Sequence, residues 1–591
     1  MKEFFRTFFA VILAMITMNI LAFFVAIFII ASLATIQGPK PIVQENSVLT
    51  ITLKDAVIDQ STSNKYAVDW LSGEFSMNKN LGLREVTTAI RNAANDPNIK
   101  GISLELGSSI PTSISLLEEI RAELEDFKAS HKFIYAYSNS GFSQKGYYIA
   151  SVADEIYLSP VANFDFRGLC SAIPFFKDFF DKFHIEMQVI RHGKYKSAVE
   201  PYISNKMSEA NREQISSYVN ATWNDILKPI SASRNISIED LNKYADELSA
   251  TNAKQAQKLN FIDGIMYEDE YVTCLKEQTG IKPDKKLRQI DLEKYIAAEP
   301  EKKSMENDGH IAIVYAQGDI IEGKSTQSSM GNETICKALR DAREDKKVKA
   351  VVFRVNSPGG SALASEFILR ELKLTLKEKP VVVSMGTYAA SGGYYISCAA
   401  DYIFADPTTL TGSIGVFGMV PNLQKLIKND LKINFESVKT NKNADFMTTI
   451  YEPMSPYQIS VIQNQIEDIY DIFITHVAEG RNMTKEQVDD IAQGRVWTGT
   501  EAINIGLVDE LGSLEDAIAF AAEKVELKQY KIKEFPRQKE FFEALMESLT
   551  DMTSIKLLKN NQISPFIEAM EKAATMQGIQ ARLPFVVISE D

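Results

Sequence analysis

"GFSQKGYYIASVAD" at Gly141–Asp154 and "YAASGGYYISCAAD" at Tyr388–Asp401 are two versions of one segment, and the later version has Ser391 where the earlier has Gln144. Two further pairs of stretches match in the same order: "AIRNAANDPNIKGISLEL" from residue 89 with "ALRDAREDKKVKAVVFRV" from residue 338, and "QAQKLNFIDG" from residue 255 with "EAINIGLVDE" from residue 501. The three pairs are separated by nearly the same number of residues, which indicates a tandem duplication.

Each copy alternates strand-like and helix-like segments. In the second copy the order is "HIAIVYAQG" (His310–Gly318), "ETICKALRDARED" (Glu333–Asp345), "VKAVVFRVN" (Val348–Asn356), "SEFILRELKLTLKEK" (Ser365–Lys379) and "PVVVSMG" (Pro380–Gly386). Short runs rich in β-branched residues between amphipathic helical runs are typical of βαβ units with parallel strands. The sequence therefore predicts an α/β fold built from two tandem copies of one domain.

The domain boundaries follow from the extent of the repeat and from composition. A chain of 591 residues is too long for one hydrophobic core, so at least two domains are expected. We place the copies at residues 45–296 and 310–530, joined by a polar, charged linker at 297–309. Residues 531–591 have no apparent counterpart in the first copy, and "FFEALMESLTDMTSIKLLKN" predicts an amphipathic helix in this tail.

The N-terminal 39 residues predict a membrane anchor. From Phe8 to Leu33 the chain is apolar apart from three uncharged polar residues. This run exceeds the ~20 residues that cross a bilayer. The alternative is a cleaved secretory signal, whose apolar region is only about 7–15 residues long. Because Lys2 and Arg6 precede the run, we expect a cytoplasmic N-terminus and a single pass, with the domains on the outer side of the inner membrane, in the periplasm.

Charge and cysteine content narrow the possible partners. The net charge of −14 argues against nucleic acid binding, which needs clustered Lys and Arg. The cysteines form no C-x-x-C pair that would suggest zinc or redox chemistry, and we expect four buried thiols: Cys170, Cys274, Cys336 and Cys398.

A glycine turn follows the strand "AVVFRV" of the second copy, in "NSPGGSALAS" (Asn356–Ser365). Gly359 and Gly360 allow backbone N–H groups to face an oxygen with no Cβ in the way, as an oxyanion site requires. The first copy reads "GSSIP" at the equivalent position, and the proline there has no N–H to donate. The first copy has therefore lost this feature.

Ser391 is the candidate nucleophile. It follows the strand "PVVVSMG" and opens a helical run, where the helix dipole favours an alkoxide. The alternative is an ordinary N-cap, for which serine is a preferred residue. The first copy lacks both the serine and the glycine turn, which favours a catalytic role, and Gln144 would be an unusual replacement for a cap.

The nucleophile needs a base, and two classes of residue are candidates. None of the five histidines has a recognisable triad setting, although His192 is kept as a minor alternative. A lysine serves if burial lowers its pKa towards neutrality. Lys194 and Lys196 lie in "IRHGKYKSAVEPYIS", which follows a strand-like run, although a loop lysine is ordinarily solvated. The second copy has Asn443 opposite Lys196, which predicts that the two halves divide one site between them.

The segments "VNSPGGS", "AASGGYY", "TGSIGVFG" and "YKSAVEP" together resemble the signal peptide peptidase A family, in its long, two-domain form. The resemblance extends from the N-terminal anchor to about Leu527. Members are bacterial Ser/Lys peptidases, and the resemblance implies a fold of the Clp protease/crotonase type in each copy. Known members form bowl-shaped homotetramers on the outer face of the cytoplasmic membrane.

The resemblance also assigns roles to individual residues. It implies that Ser391 is the nucleophile and that Lys196, rather than Lys194, is the general base. It implies that the turn Gly359–Gly360 supplies oxyanion N–H groups. Ser413 in "LTGSIG" would orient the lysine amine, with a structural role in its turn as the alternative.

The function expected from these features is a membrane-anchored serine endopeptidase that degrades cleaved signal peptides and other short apolar peptides. No metal or nucleotide cofactor is expected, because the sequence has no Walker pattern and no His/Glu metal motif. Two alternatives remain: a crotonase-like acyl-CoA enzyme, which export from the cytoplasm disfavours, and an inert scaffold with a binding groove.

Overall fold

The computed structural model describes residues 3–4, 6–15, 17–18, 21, 41–61, 66–69, 74–77, 80–298, 308–326, 328–447, 450–537, 579–583 and 588–589. Most of the expected membrane span, most of the expected linker and the expected tail helix therefore lie outside the described residues. Within the described ranges, no helix combines the length and the apolar character needed to cross a membrane.

The strands follow the alternation predicted from sequence. Up to residue 298 they are β1 (Ser47–Ile51), β2 (Val57–Ile58), β3 (Tyr66–Asp69), β4 (Glu74–Met77), β5 (Leu81–Gly82), β6 (Ile99–Glu105), β7 (Phe133–Ser138), β8 (Gly141–Phe142), β9 (Glu155–Leu158), β10 (Asn163–Phe164), β11 (Cys170–Ser171), β12 (Glu186–His192), β13 (Gly264–Ile265) and β14 (Gln289–Asp291). From residue 309 they are β15 (Gly309–Gln317), β16 (Asp319–Ile321), β17 (Ser329–Gly331), β18 (Val348–Ser357), β19 (Gly359–Ser361), β20 (Val381–Ala390), β21 (Tyr402–Ala405), β22 (Leu410–Gly412), β23 (Val416–Asn422), β24 (Val496–Thr498), β25 (Glu510–Leu511), β26 (Tyr530–Phe535), β27 (Ile579–Arg582) and β28 (Ile588–Ser589).

The α-helices lie between these strands. In the first half they are Leu83–Asn95, Ile114–Phe127, Gln144–Ala150, Lys177–Lys182, Glu200–Ile203, Glu209–Arg234, Ile238–Asp246, Ala253–Lys258, Glu268–Thr279 and Leu292–Ala298. In the second half they are Asn332–Glu344, Ala362–Leu376, Gly392–Tyr395, Pro456–Arg481, Lys485–Ile491, Gly499–Asn504 and Leu514–Lys524.

Two sheets share one strand order, which confirms the α/β fold and the duplication. The first has the order β13-β9-β7-β6-β1-β14, and its strands are all parallel. In the second, β25-β21-β20-β18-β15-β26 repeat that order in parallel, and β22 and β24 extend it from the end of β20. The pairing of β26 with β15 extends the second sheet beyond residue 530, and β26 occupies the position that β14 has in the first sheet.

The largest apolar cluster is shared by the two copies. It includes Leu49 and Ile102 from the first sheet and Ile313 and Val352 from the second, all fully buried. The helix Leu514–Lys524 of the second copy also contributes to it. The copies are therefore held together by a continuous core and not by the linker alone.

A third sheet contains strands from both copies and positions the candidate site. Its order is β12-β23-β27-β19-β16-β17. From the first copy comes β12, which runs antiparallel to β23 from the pair Glu186–Asn422 to the pair His192–Val416. The segment that follows β12 is thereby brought to the second copy, close to the end of β20.

The expectation of four buried thiols is wrong. Cys398 is buried, but Cys274 and Cys336 are partly exposed and Cys170 is exposed on the short strand β11. All four cysteines are free. A cysteine in a two-residue strand can face solvent, and sequence spacing alone does not report this.

Candidate active site

Lys196 and Ser391 meet in a fully buried position between the two copies. The lysine Nζ lies 2.8 Å from Ser391 Oγ, 3.0 Å from the Ser413 carbonyl oxygen and 3.1 Å from Ser413 Oγ. The side chains of all three residues are inaccessible to solvent. A neutral amine has two hydrogens and one lone pair, which matches two contacts to Ser413 and one to the Ser391 hydroxyl.

The electrostatic setting favours that neutral amine. Burial lowers the pKa of the Lys196 ammonium well below its ordinary value. Desolvation disfavours the charged form because the protein interior replaces the hydration of an ammonium poorly. A lysine in this state can accept a proton from a hydroxyl near neutral pH.

Close loop packing holds Lys196 in place. Gly193, with φ +106°, approaches Gln493 so closely that an added Cβ would lie 2.6 Å from the Gln493 carbonyl carbon. Gly494, with φ +79°, faces Lys196 itself, and a Cβ there would lie 2.6 Å from the lysine backbone nitrogen. The Tyr195 N–H donates to the Gln493 carbonyl at 2.8 Å. The lysine loop of the first copy is therefore seated on a loop of the second.

Ser391 has a strained backbone and a hydroxyl that caps no helix. Its φ of 55° and ψ of −112° are unusual for a residue with a side chain, and such strain costs about 1–3 kcal/mol. Its N–H donates to the Gly412 carbonyl at 2.7 Å, which fixes it beside the end of β22. Although it occupies the N-cap position of Gly392–Tyr395, its side chain makes no capping hydrogen bond. In the first copy, Ser143 caps the equivalent helix by accepting from the Gly146 N–H.

The glycine turn lies beside the serine. Gly359, with φ +99°, is so close to the next helix that an added Cβ would lie 2.8 Å from the Gly392 nitrogen. The Gly359 N–H donates to Ser357 Oγ at 3.1 Å, and Gly360 lies on β19. Gly392, which follows the candidate nucleophile and was not singled out from the sequence, lies beside this turn, and the residue after a nucleophile commonly supplies an oxyanion N–H.

The alternative bases lie elsewhere. His192 places Nδ1 2.6 Å from a Glu467 carboxylate oxygen and stacks on Tyr470 with ring centroids 3.8 Å apart. Lys194 is exposed, with its ammonium 4.9 Å from the centre of the Tyr195 ring. The structure thus brings Lys196 and Ser413 to Ser391, and directs the other two side chains to different partners.

The equivalent position in the first copy has a different arrangement. Gln144 is buried, and its Oε1 accepts from the backbone N–H groups of Arg167 and Gly168 at 3.1 and 2.9 Å. Ile110, opposite one of the turn glycines, is fully buried as part of the core. Asn443, opposite Lys196 in the alignment, is exposed. Gln144 therefore supports a loop and Ile110 packs in the core, whereas Asn443 faces solvent.

Within the part of the chain that the structure describes, no group of three or more His, Cys, Asp or Glu side chains is arranged to hold a metal ion.

Comparison with known proteins gives the family and the activity. The model of peptidase family S49 matches residues 126–282 and 373–528, one match in each copy. Protease 4 of Haemophilus influenzae is 37% identical over 480 residues, covering 80% of this chain and 77% of that protein. Protease 4 of Salmonella typhi is 39% identical over 477 residues, covering 79% and 76%. A putative signal peptide peptidase SppA of Enterococcus faecium is 40% identical over 181 residues, covering 30% and 52%.

Proposed function

The chain belongs to peptidase family S49 and is a serine protease, and from this we propose that Ser391 is its nucleophile and Lys196 its general base. The observation that carries the proposal is the 2.8 Å contact between Lys196 Nζ and Ser391 Oγ, made in a buried site where the lysine pKa is lowered. Ser413 acts as a positioning residue, since its carbonyl and hydroxyl oxygens take the two amine hydrogens and leave the lone pair facing Ser391.

The reaction begins when the Ser391 hydroxyl attacks a peptide carbonyl. Its proton passes to Lys196 as the Oγ–C bond forms, and the carbonyl π electrons move to the oxygen. The resulting ammonium then gives that proton to the leaving amine as the C–N bond breaks. In the second stage of the reaction, water attacks the acyl-enzyme. Lys196 again takes one proton and returns it, which regenerates the serine and releases the carboxylic acid product.

Backbone N–H groups stabilise the oxyanion. We assign this role to the turn Gly359–Gly360, as the sequence resemblance implies, and add the N–H of Gly392, whose nitrogen lies beside Gly359. Removing one such donor typically costs 10²–10³ in kcat. Because the Gly359 N–H is engaged by Ser357 in the structure, the proposal requires Ser357 Oγ to release or share that N–H when substrate binds.

The proposed substrates are cleaved signal peptides and other short apolar peptides. The name of the Enterococcus faecium relative supports this choice. A buried apolar cluster next to Ser391 supports it as well: Ala390 and Leu410 of the second copy pack there with Ile215 and Tyr218 of the first. A profile of cleavage across a peptide library would test it, and a preference for charged segments would contradict it.

Membrane anchoring, a periplasmic location and a homotetrameric state are further parts of the proposal. The uncharged run from Phe8 to Leu33 supports the anchor, and the positive residues before it support the orientation. Protease added outside spheroplasts should digest the chain beyond about residue 39. Complete protection would rule out this topology, and light scattering of detergent-purified protein tests the tetramer.

Covalent labelling tests the nucleophile. A fluorophosphonate probe should modify Ser391 in the intact protein, and the adduct should be located there by peptide mass mapping. The Ser391→Ala variant should be neither labelled nor active, with a loss of about 10⁴-fold or more. A wild-type chain that hydrolyses peptides but carries its label elsewhere would overturn the assignment, and a chain that does neither would favour a scaffold.

A further inference from the structure

β27, the longer of two short strands near the end of the chain and called the C-terminal strand below, lies next to the candidate nucleophile. β27 (Ile579–Arg582) is inserted between β19 and β23 and runs antiparallel to both. Gly360 pairs with Ala581, and Phe417 pairs with Gln580. An extended peptide that adds a strand between two edges is one of the recurring ways in which proteins bind peptides.

The register places one carbonyl group of this strand against the glycine turn. A Cβ built on Gly359 would lie 2.2 Å from the Ala581 carbonyl oxygen, and a Cβ on Gly392 would lie 3.0 Å from the same oxygen. The Leu583 N–H donates to the Pro358 carbonyl at 2.6 Å, which makes Gly360 and Ala581 the next hydrogen-bonded pair of the antiparallel ladder. The Ala581 carbonyl oxygen thus lies against the glycine turn and close to Gly392, the residue that follows Ser391.

The strand is anchored on both sides of that carbonyl. Leu583 is buried in the apolar cluster that contains Ile215, Tyr218 and Leu410. Arg582 forms an ion pair with Asp319 at 2.6 Å. On the other side, Ile579 packs against the core of the second copy. The segment therefore spans the cleft as an intact peptide would, rather than ending in it as a cleaved product would.

We propose that the C-terminal strand is a tethered, substrate-like inhibitor that an extended apolar peptide must displace before hydrolysis. Because the strand is part of the same chain, its effective concentration at the site is high. The apparent affinity for a substrate peptide falls as the fraction of molecules with an unoccupied site falls. Because residues on both sides of the Ala581–Arg582 bond are held, an acyl-enzyme formed there would keep its leaving amine in place and religate. This inference rests on the proposed function of Ser391.

Weakening the Leu583 anchor should activate the full-length enzyme. In Leu583→Asp a carboxylate replaces a buried apolar side chain, so the strand should leave the cleft and kcat/KM for a short apolar peptide should rise about tenfold or more. The matched control is Leu431→Asp, the same change at an exposed leucine, which should leave kcat/KM unchanged. Fluorophosphonate labelling of Ser391 should accelerate in the first variant only.

A peptide added in trans makes the test independent of how that variant folds. The synthetic heptapeptide GIQARLP, residues 578–584, should inhibit competitively, and a scrambled heptapeptide of the same composition should not. Its inhibition constant should be lower for Leu583→Asp than for the wild type, since the wild-type cleft is already occupied. The intact mass of the purified protein should show no loss of residues 582–591.

The outcomes separate this inference from the proposed function. Equal hydrolysis and labelling by the wild type and Leu583→Asp, or no inhibition by the heptapeptide, would overturn the inhibitor and leave the dyad standing. Cleavage after Ala581 in the purified protein would also overturn it, because the strand would then be a substrate. Absence of both hydrolysis and Ser391 labelling in every protein would instead remove the proposed function.

Discussion

At the scale of single residues, the proposed activity depends on a lysine that is buried without an acidic partner at its amine. Replacing Lys196 by Met keeps the length and apolar stem of the side chain and removes the base. We expect kcat/KM to fall about 10³-fold or more, because general base catalysis typically contributes 10²–10⁴. The matched control is Lys194→Met two residues earlier, where the exposed lysine should be dispensable. Peptide hydrolysis by purified, folded variants measures both, and equal losses would contradict the assignment.

The lowered lysine pKa also fixes the direction of two pH dependences. Activity should rise with pH as Lys196 loses its proton, with a midpoint below the ordinary lysine value of 10.5. Between the folded pKa and 10.5 the unfolded chain binds the extra proton, so the free energy of unfolding should also increase as pH rises through that window. The Lys196→Met variant has no ionisable group at this position and therefore lacks this pH-dependent contribution to stability. Its melting temperature relative to the wild type should therefore decrease as pH rises towards 10.5, and a constant difference would contradict the buried neutral amine.

Gly359 should tolerate no side chain. Steric contact of an added Cβ with neighbouring backbone atoms is one cause, and its effect can be separated from that of backbone strain. The φ of Gly359 is +99°, and an added Cβ would lie 2.2 Å from the Ala581 carbonyl oxygen and 2.8 Å from the Gly392 nitrogen. Gly323 has φ +88°, with no atom within 4 Å of an added Cβ. Alanine should cost about 1 kcal/mol or more of stability at either position. Only Gly359→Ala should also lose about 10²-fold or more in kcat, as expected for a displaced oxyanion donor. Kinetics at saturating substrate with parallel thermal melts measure this difference.

At the scale of elements, a buried ion network joins a strand of the second copy to the first copy. Arg354 on β18 makes 2.6 Å contacts to Asp59 and Glu119, and all three side chains are at most 2% exposed. Arg354→Met should leave two buried carboxylates unpaired and destabilise the protein by about 3–5 kcal/mol. The control Arg340→Met removes a half-exposed arginine from the buried Glu371, which keeps its contact to Arg343, and should cost under about 1 kcal/mol.

The same network predicts how that defect varies with pH. Burial raises the pKa of Glu119, and Arg354 opposes that rise. Without the arginine, the folded pKa of the carboxyl lies further above its unfolded value, so stability is lost as pH rises through it. The melting temperature of Arg354→Met should therefore lie less far below that of the wild type at pH 5 than at pH 8. An equal deficit at both values would mean that lost packing, rather than unpaired charge, causes the instability.

Elements set by local pattern could be predicted from sequence, and contacts between distant segments could not. β15 and β18 fall where β-branched runs predicted strands, and the equal order of the two sheets follows from the repeat. Ser391 and Lys196 stood out because the two copies differ there. The third sheet has no such signal, because β12, β23 and β27 come from separate parts of the chain and pair only after folding. For the same reason, neither Gly392 nor the C-terminal strand was expected at the site.

At the scale of the whole molecule, the shared core implies that the dyad forms within one chain. Leu49 and Ile102 of the first copy are buried in one cluster with Ile313 and Val352 of the second, so the copies that supply lysine and serine pack against each other directly.

Co-expression of Lys196→Met with Ser391→Ala should therefore restore no activity, since every chain lacks one member of its own dyad. If chains exchanged halves within an oligomer, roughly a quarter of the sites in a mixed assembly would pair an intact lysine with an intact serine, and activity would return. Hydrolysis by the co-purified variants, each carrying a different affinity tag, decides between these arrangements. Recovery of activity in the doubly tagged fraction would show that the first copy of one chain packs against the second copy of another chain.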